Sequence, residues 1–169
     1  MRAVLLLAHG TPESLDQMPE YLARVRGGRP PSPELIAEMT GNYTAIGGRS
    51  PLTDITRAQA AALQAELGDG TPVYVGMRNW HPYIADAVAE AVAAGARELI
   101  AIPLAPQFST VSVAKYQDAV TAAAPPGVSV RSVASWHDHP DLIAASRRRS
   151  ARHRPRPTRP SSSPRTACP

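Results

Sequence analysis

The chain has 169 residues, 43% hydrophobic and 19% charged, a balance that fits a globular domain with a sizeable core and excludes a wholly disordered chain. Its longest apolar stretches, Ala3 to Ala8 and Leu99 to Ala105, fall well short of the roughly 20 residues that span a bilayer, so no membrane span is expected. The N-terminus runs from Arg2 through a short apolar run into the polar turn His9-Gly10-Thr11-Pro12. It lacks the long apolar region and cleavage site of a signal peptide, and a cytoplasmic location is expected. Cys168 is the only cysteine, which excludes an intrachain disulfide.

The formal net charge of +4 is unevenly spread. Residues 147–169 hold eight arginines and no acid, which leaves ten basic residues against fourteen acids, a net charge of −4, in residues 1–146. The body is mildly acidic and has no nucleic-acid footprint.

Arg2 to Ala8 (RAVLLLA) is a continuous apolar run bounded by turn residues, the pattern of a strand buried on both faces of a parallel sheet. Ser14 is placed to cap a helical segment reaching about Val25. Ser32-Pro33-Glu34 sets a capping residue before a proline at the first helical position, with an acid at the positive end of the helix dipole. Ser50-Pro51 repeats that signal, and Leu52, Ile55, Gln59, Leu63 and Leu67 are spaced for one helix face ended by Gly68. Pro72 to Met77 is a second strand. Pro82 opens a helix with Ile84, Val88 and Val92 on one side, closed by Gly95. Leu99 to Leu104 is a third strand, Val111 to Ala124 a further helix, and Val128 to Ala134 a fourth strand whose alternation places it nearer an edge. Strands separated by helices of this length imply an α/β domain on a parallel sheet of four strands with right-handed crossovers. The first connection is long enough for three helices, and insertions of that kind build binding sites.

After about Ala145 the sequence is rich in Arg, Pro and Ser and has no apolar periodicity. Such a segment cannot bury enough surface to offset its ordering entropy, so it is expected to be disordered. The domain boundaries are placed at 1–145 for the folded part and 146–169 for the tail.

Four segments carry side chains with chemistry, and two of them, at His9 and at Pro103 to Tyr116, leave strands at their carboxyl ends, where open α/β sheets bind ligands. His9 follows the first strand and faces that crevice, either as a proton acceptor, donor or metal ligand, or as a histidine packed at a strand end. Asn42 to Leu52 (NYTAIGGRSPL) has two glycines before a helix start. It reads either as an ordinary loop with a Ser-Pro cap or as an anion site with Tyr43 against a flat ligand. Pro103 to Tyr116 brings the hydroxyls of Ser109, Thr110 and Ser112 to the same edge, as caps or as ligand contacts. In Tyr21 to Arg29, Arg26 and Arg29 flank a glycine pair, as a solvated helix end or as carboxylate binders. Gly76 to Pro82 follows the second strand and lines the same edge. His137-Asp138-His139 resembles a metal chelate in composition only, and no P-loop, dinucleotide fingerprint or zinc-spaced cysteine set is present.

In order and spacing, LLLAHGTP, YLARVRGGRPPSPE, NYTAIGGRSPL, VYVGMRNWHPYIADAV and LAPQFSTVSVAKY resemble the N-terminal half of the ferrochelatase family, most closely its soluble bacterial coproporphyrin-type members. The resemblance runs from about Ala3 to about Ala145. It implies a chelatase-like fold of two similar Rossmann-like halves, each a three-layer α/β domain, with a porphyrin in the cleft between them, and a lyase of haem biosynthesis that inserts ferrous iron into coproporphyrin III or protoporphyrin IX. Fe2+ and porphyrin are then substrates, and no cofactor is required. The porphyrin-binding residues it implies are His9, Arg26, Asn42, Tyr43, Ser50 and Tyr116, with His9 on the iron face as a metal ligand in place of a tyrosine. Asn42 stands where the family commonly has Arg, which removes a charge from one propionate contact.

The catalytic His and Glu implied by the resemblance belong to the second half of the family's fold, and neither motif occurs here, so no catalytic residue is assigned. The expectation is a truncated, weakly active or inactive chain, altered by a frameshift or a premature ending in a GC-rich gene. Alternatives are a sirohydrochlorin-type tetrapyrrole chelatase, which shares an Ala/Gly-His-Gly turn, and a non-catalytic porphyrin-binding protein. Expected partners are porphyrin and ferrous iron, without nucleic acid, and self-association through the exposed cleft wall is plausible on hydrophobic grounds.

Overall fold

The computed structural model describes residues 1–152, with side chains through Ser150. It divides into two units, Met1–Trp136 and a second that begins at His137.

The first unit is built on a four-stranded parallel sheet in the order β2-β1-β3-β4. The strands are β1 (Arg2–Ala8), β2 (Val73–Met77), β3 (Glu98–Pro103) and β4 (Ser129–Ser132). The RAVLLLA run forms the central strand β1, and every residue after Arg2 is buried, as expected of a strand covered on both faces. Its register pairs Ala8 with Met77 on one side and Leu7 with Pro103 on the other, so all three strands end at one level. The alternating β4 is an edge strand.

The helices of this unit are α1 (Met18–Val25), α2 (Pro33–Ala45), α3 (Leu52–Leu67), α4 (Ile84–Ala93) and α5 (Val113–Ala123). On one face, Ala3, Leu5, Leu7, Leu99 and Ala101 pack against Ile84, Ala87, Val88 and Ala91 of α4 and Tyr116 and Val120 of α5. On the other, Val4 and Leu6 pack with Ala60 of α3, flanked by Leu63, Val73, Val75, Ile100 and Ile102. This is the expected three-layer arrangement. Each Leu, Val or Ile so buried contributes roughly 1.5–3 kcal/mol relative to exposure.

The long first connection carries α1, α2 and α3, preceded by a 3-10 turn at Leu15–Gln17. Ser14 stands before that turn with no capping bond from its side chain, and α1 itself starts at Met18, with Pro19 in its first turn. Ser32 caps α2 as expected, its hydroxyl accepting from Leu35 N at 3.3 Å. Two local expectations are corrected. Asn42–Ala45 are not loop but the last turn of α2. On α3, the buried residues are Thr53, Thr56 and Ala60, while Ile55 and Leu67 are 51% and 43% exposed. Small residues let α3 approach the sheet closely, and the Thr56 hydroxyl is satisfied by the Leu52 carbonyl at 2.8 Å.

In the second unit, α6 (Pro140–Arg152) passes Ala145 and continues through Arg147, Arg148 and Arg149. Arginine is a good helix former, so the arginine run does not itself end the helix. The rest of the Arg/Pro/Ser-rich segment lies outside the described residues.

Candidate functional site at the carboxyl edge of the sheet

The equal ends of β1 and β2 create the site. Arg78 N donates to Ala8 O at 3.0 Å and Asn79 N to His9 O at 2.9 Å, which carries the pairing one step past each strand. Gly10 then turns the chain with φ 82°, and a Cβ there would lie 2.7 Å from Trp80 N. Only glycine permits both the positive φ and that approach. β3 is fixed to the same edge by Leu104 N donating to Leu7 O at 2.8 Å. Trp136 Nε1 donates to Pro103 O and Trp136 N to Pro106 O, both at 2.9 Å, which pins the loop that follows β3.

A satellite apolar cluster sits under this edge: Met18, Tyr21 and Leu22 of α1 with Trp80, flanked by Leu35, Ile36, Met39 and Tyr43 of α2. It places aromatic rings in sequence. Tyr21 meets His9 edge-on at 6.4 Å and Trp80 edge-on at 6.1 Å. The Tyr21 hydroxyl is hydrogen-bonded to Tyr43, and burial first, then Tyr43, drives its pKa far up. Tyr43 is raised by burial, partly offset by that bond. Tyr116, on α5, is raised by burial and held back by the Arg78 charge and by a hydrogen bond to Ser112. All three phenols are therefore neutral hydrogen-bonding groups near neutral pH.

His9 is exposed at the strand end. Its pKa is lowered by partial burial and then by the Arg78 charge. The Asn79 amide nitrogen is 3.2 Å from each of the two ring nitrogens and 3.2 Å from the His9 carbonyl. A neutral imidazole with an available lone pair is a good ligand for a divalent metal. Among the described residues no group of three or more His, Cys, Asp or Glu could hold a metal ion, and His137-Asp138-His139 does not form one.

Of the residues the sequence pointed to, His9, Tyr43 and Tyr116 are linked here, through Tyr21 and Arg78. Asn42 is exposed, with its side chain on Met39 Sδ at 4.0 Å. Ser50 spends its hydroxyl on Leu52 N at 3.2 Å. Arg26 is exposed at the end of α1, where its carbonyl accepts from Arg29 Nε at 3.2 Å. Tyr21, Arg78 and Asn79 were named only as parts of the Tyr21–Arg29 and Gly76–Pro82 segments, the second of them expected to line this edge, and none was given a role of its own; the strand register supplies that.

No described helix is long and apolar enough to cross a membrane. A family model described as Ferrochelatase matches residues 1–161. The chain is similar to the ferrochelatase of Deinococcus radiodurans, 45% identical over 148 residues that make up 84% of this chain and 47% of that protein. It is 49% identical over 143 residues to the ferrochelatase of Acidobacterium capsulatum, covering 85% of this chain and 43% of the relative. With the coproporphyrin III ferrochelatase of Bacillus subtilis it shares 37% identity over 147 residues, 83% of this chain and 47% of the relative. The chain thus spans about half the length of the curated relatives it matches, and over that span it belongs to the ferrochelatase family.

Proposed function

We propose that this chain forms one wall of the porphyrin cleft of an enzyme that inserts ferrous iron into coproporphyrin III or protoporphyrin IX in haem biosynthesis, in the cytoplasm. The observation that carries this reading is the juxtaposition of His9 with the Tyr21–Tyr43–Trp80 ring cluster at the carboxyl edge of the sheet. His9 is exposed at that edge and Tyr43 half-buried, while Tyr21 and Trp80 are buried beneath them as their support, and a neutral imidazole so placed suits the metal of a flat macrocycle. In this reading His9 addresses the iron face, Arg26 meets a carboxylate, and Asn42, Tyr43, Ser50 and Tyr116 complete the porphyrin contacts. The name of the Bacillus subtilis relative favours coproporphyrin III as the substrate. Insertion releases the two pyrrole protons, and no group of this chain is assigned as the base that takes them. Self-association through this wall belongs to the same proposal, supported by Phe108 and Val111, which are 51% and 77% exposed in the loop after β3.

The test is titration of the purified chain with each porphyrin, following the Soret band and tryptophan fluorescence. Saturable binding with a Soret shift is expected, together with loss of the zinc-porphyrin spectral change in His9→Ala. Absence of saturable binding for both porphyrins would sink the reading.

A further inference from the structure

Every arginine from Arg2 to Arg149 is exposed except Arg78, which is half-buried. Its backbone is held by Ala8 O at 3.0 Å, one residue beyond β2, beside the His9 turn. Its side chain makes one described hydrogen bond, Nη1 to Val111 O at 3.3 Å. Among the described residues no carboxylate forms an ion pair with it, whereas Arg2, Arg24, Arg49 and Arg131 each have one. A partly desolvated guanidinium without a counter-charge is costly, and its planar fork is built for a carboxylate. The carbonyl that orients it belongs to Val111, whose residue is 77% exposed. The charge acts on both His9 and Tyr116, so the guanidinium belongs to the same carboxyl edge of the sheet.

We infer that Arg78 is a carboxylate-binding residue of this site, receiving an acid side group of a flat apolar ligand whose body covers Val111. The inference rests on the porphyrin reading above and deepens it by naming a second residue, besides Arg26, that answers a propionate. Val111 O fixes the guanidinium in place, so the fork is oriented before the ligand arrives, and less side-chain entropy is lost on binding. The vacant counter-charge also discriminates: an acid porphyrin satisfies it, and an ester leaves it unpaired.

The experiment compares the full chain with Arg78→Gln and Arg78→Lys. The probes are mesoporphyrin as the free diacid and as its dimethyl ester, in the same detergent, with thermal unfolding of each variant alongside. Gln keeps a donor for Val111 O but loses the charge. Expected are a roughly ten- to hundredfold weaker affinity of Arg78→Gln for the diacid, unchanged ester binding, and a difference that narrows as salt is raised. Arg78→Lys should keep the preference for the diacid within a few-fold. Equal weakening toward diacid and ester would show a residue that only holds the 104–112 loop, and unchanged diacid binding in Arg78→Gln would show no role. Should Arg78→Gln not fold, loss of the diacid preference in Arg78→Lys overturns the inference. Failure of the porphyrin reading looks different: the parent chain then binds neither probe, and the inference falls with it.

Discussion

The side-chain amide nitrogen of Asn79 lies 3.2 Å from Nδ1 of His9 and 3.2 Å from Nε2. The two ring lone-pair directions diverge in the plane of the imidazole, so a donor equidistant from both cannot lie along either. The amide therefore sits over the ring face, held there by its bond to His9 O at 3.2 Å. Both in-plane directions of the imidazole stay available for a metal or a hydrogen bond, while the ring's rotation is restricted. Asn79→Ala removes this contact but keeps the backbone bond from Asn79 N to His9 O. Expected is a loss of about 1 kcal/mol of stability in urea unfolding, with His9 ring resonances that average between orientations. His9 ring shifts unchanged from those of the parent would contradict the clamp.

The pH dependence of His9 has a definite sign. Partial burial, then the Arg78 charge, lowers its pKa below 6.5 in the folded chain. The unfolded chain takes up the proton first as pH falls, so it binds more protons between 6.5 and the folded value. This residue therefore makes stability decline on acidification through that window, and restores it above 6.5. Replacing Arg78 by Gln removes one of the two causes and should raise the His9 pKa, with burial still holding it low. An NMR titration of the His9 ring in parent and variant reads the shift, and a downward or absent change would be inconsistent with the site geometry.

Gly10 and Gly47 separate two costs of a side chain. Both have positive φ, 82° and 94°. A Cβ at Gly47 meets nothing within 4 Å, whereas at Gly10 it would meet Trp80 N at 2.7 Å and Met77 Cβ at 3.0 Å. Gly47→Ala should cost only the backbone strain, about 1–2 kcal/mol. Gly10→Ala adds a collision with backbone and should cost at least about 3 kcal/mol, with the β1–β2 edge displaced. Equal midpoints in denaturant unfolding of the two variants would refute the close approach.

The sheet was legible because β1 is an unbroken apolar run and β4 alternates, patterns that burial on two faces or one imposes directly. The inner face of α3 was not legible in the same way. Leu52, Ile55, Gln59, Leu63 and Leu67 form a plausible stripe, yet the helix buries Thr53, Thr56 and Ala60. A threonine whose hydroxyl bonds its own helix, as Thr56 does, behaves as a small core residue, and hydropathy does not register this. At the site, His9, Tyr43 and Tyr116 stood out by their place in motifs. Arg78 and Asn79 were placed at the same edge only as part of Gly76 to Pro82, without a role of their own, because their relation to His9 depends on the Ala8–Met77 register, a tertiary pairing absent from local sequence.

Tyr21 carries the last prediction. Its ring is 6% exposed and stands edge-on to both His9 and Trp80, and its hydroxyl is bonded to Tyr43. The ring and the hydroxyl thus serve different neighbours. Tyr21→Phe keeps the ring contacts and removes only the hydroxyl bond. Because Tyr43 is half-buried and reachable by water, the expected cost is about 1 kcal/mol. Tyr43 then loses the one interaction that lowers its pKa, so burial should push it further up. A spectrophotometric phenolate titration should show a later rise for that group. Tyr21→Ala instead empties the cluster of Met18, Leu22 and Trp80 and should cost roughly 3–5 kcal/mol. It should also free the His9 ring and weaken porphyrin binding, whereas the Phe variant should bind porphyrin as the parent does. If Tyr21→Phe and Tyr21→Ala lost porphyrin binding alike, the hydroxyl rather than the ring would be what supports the site.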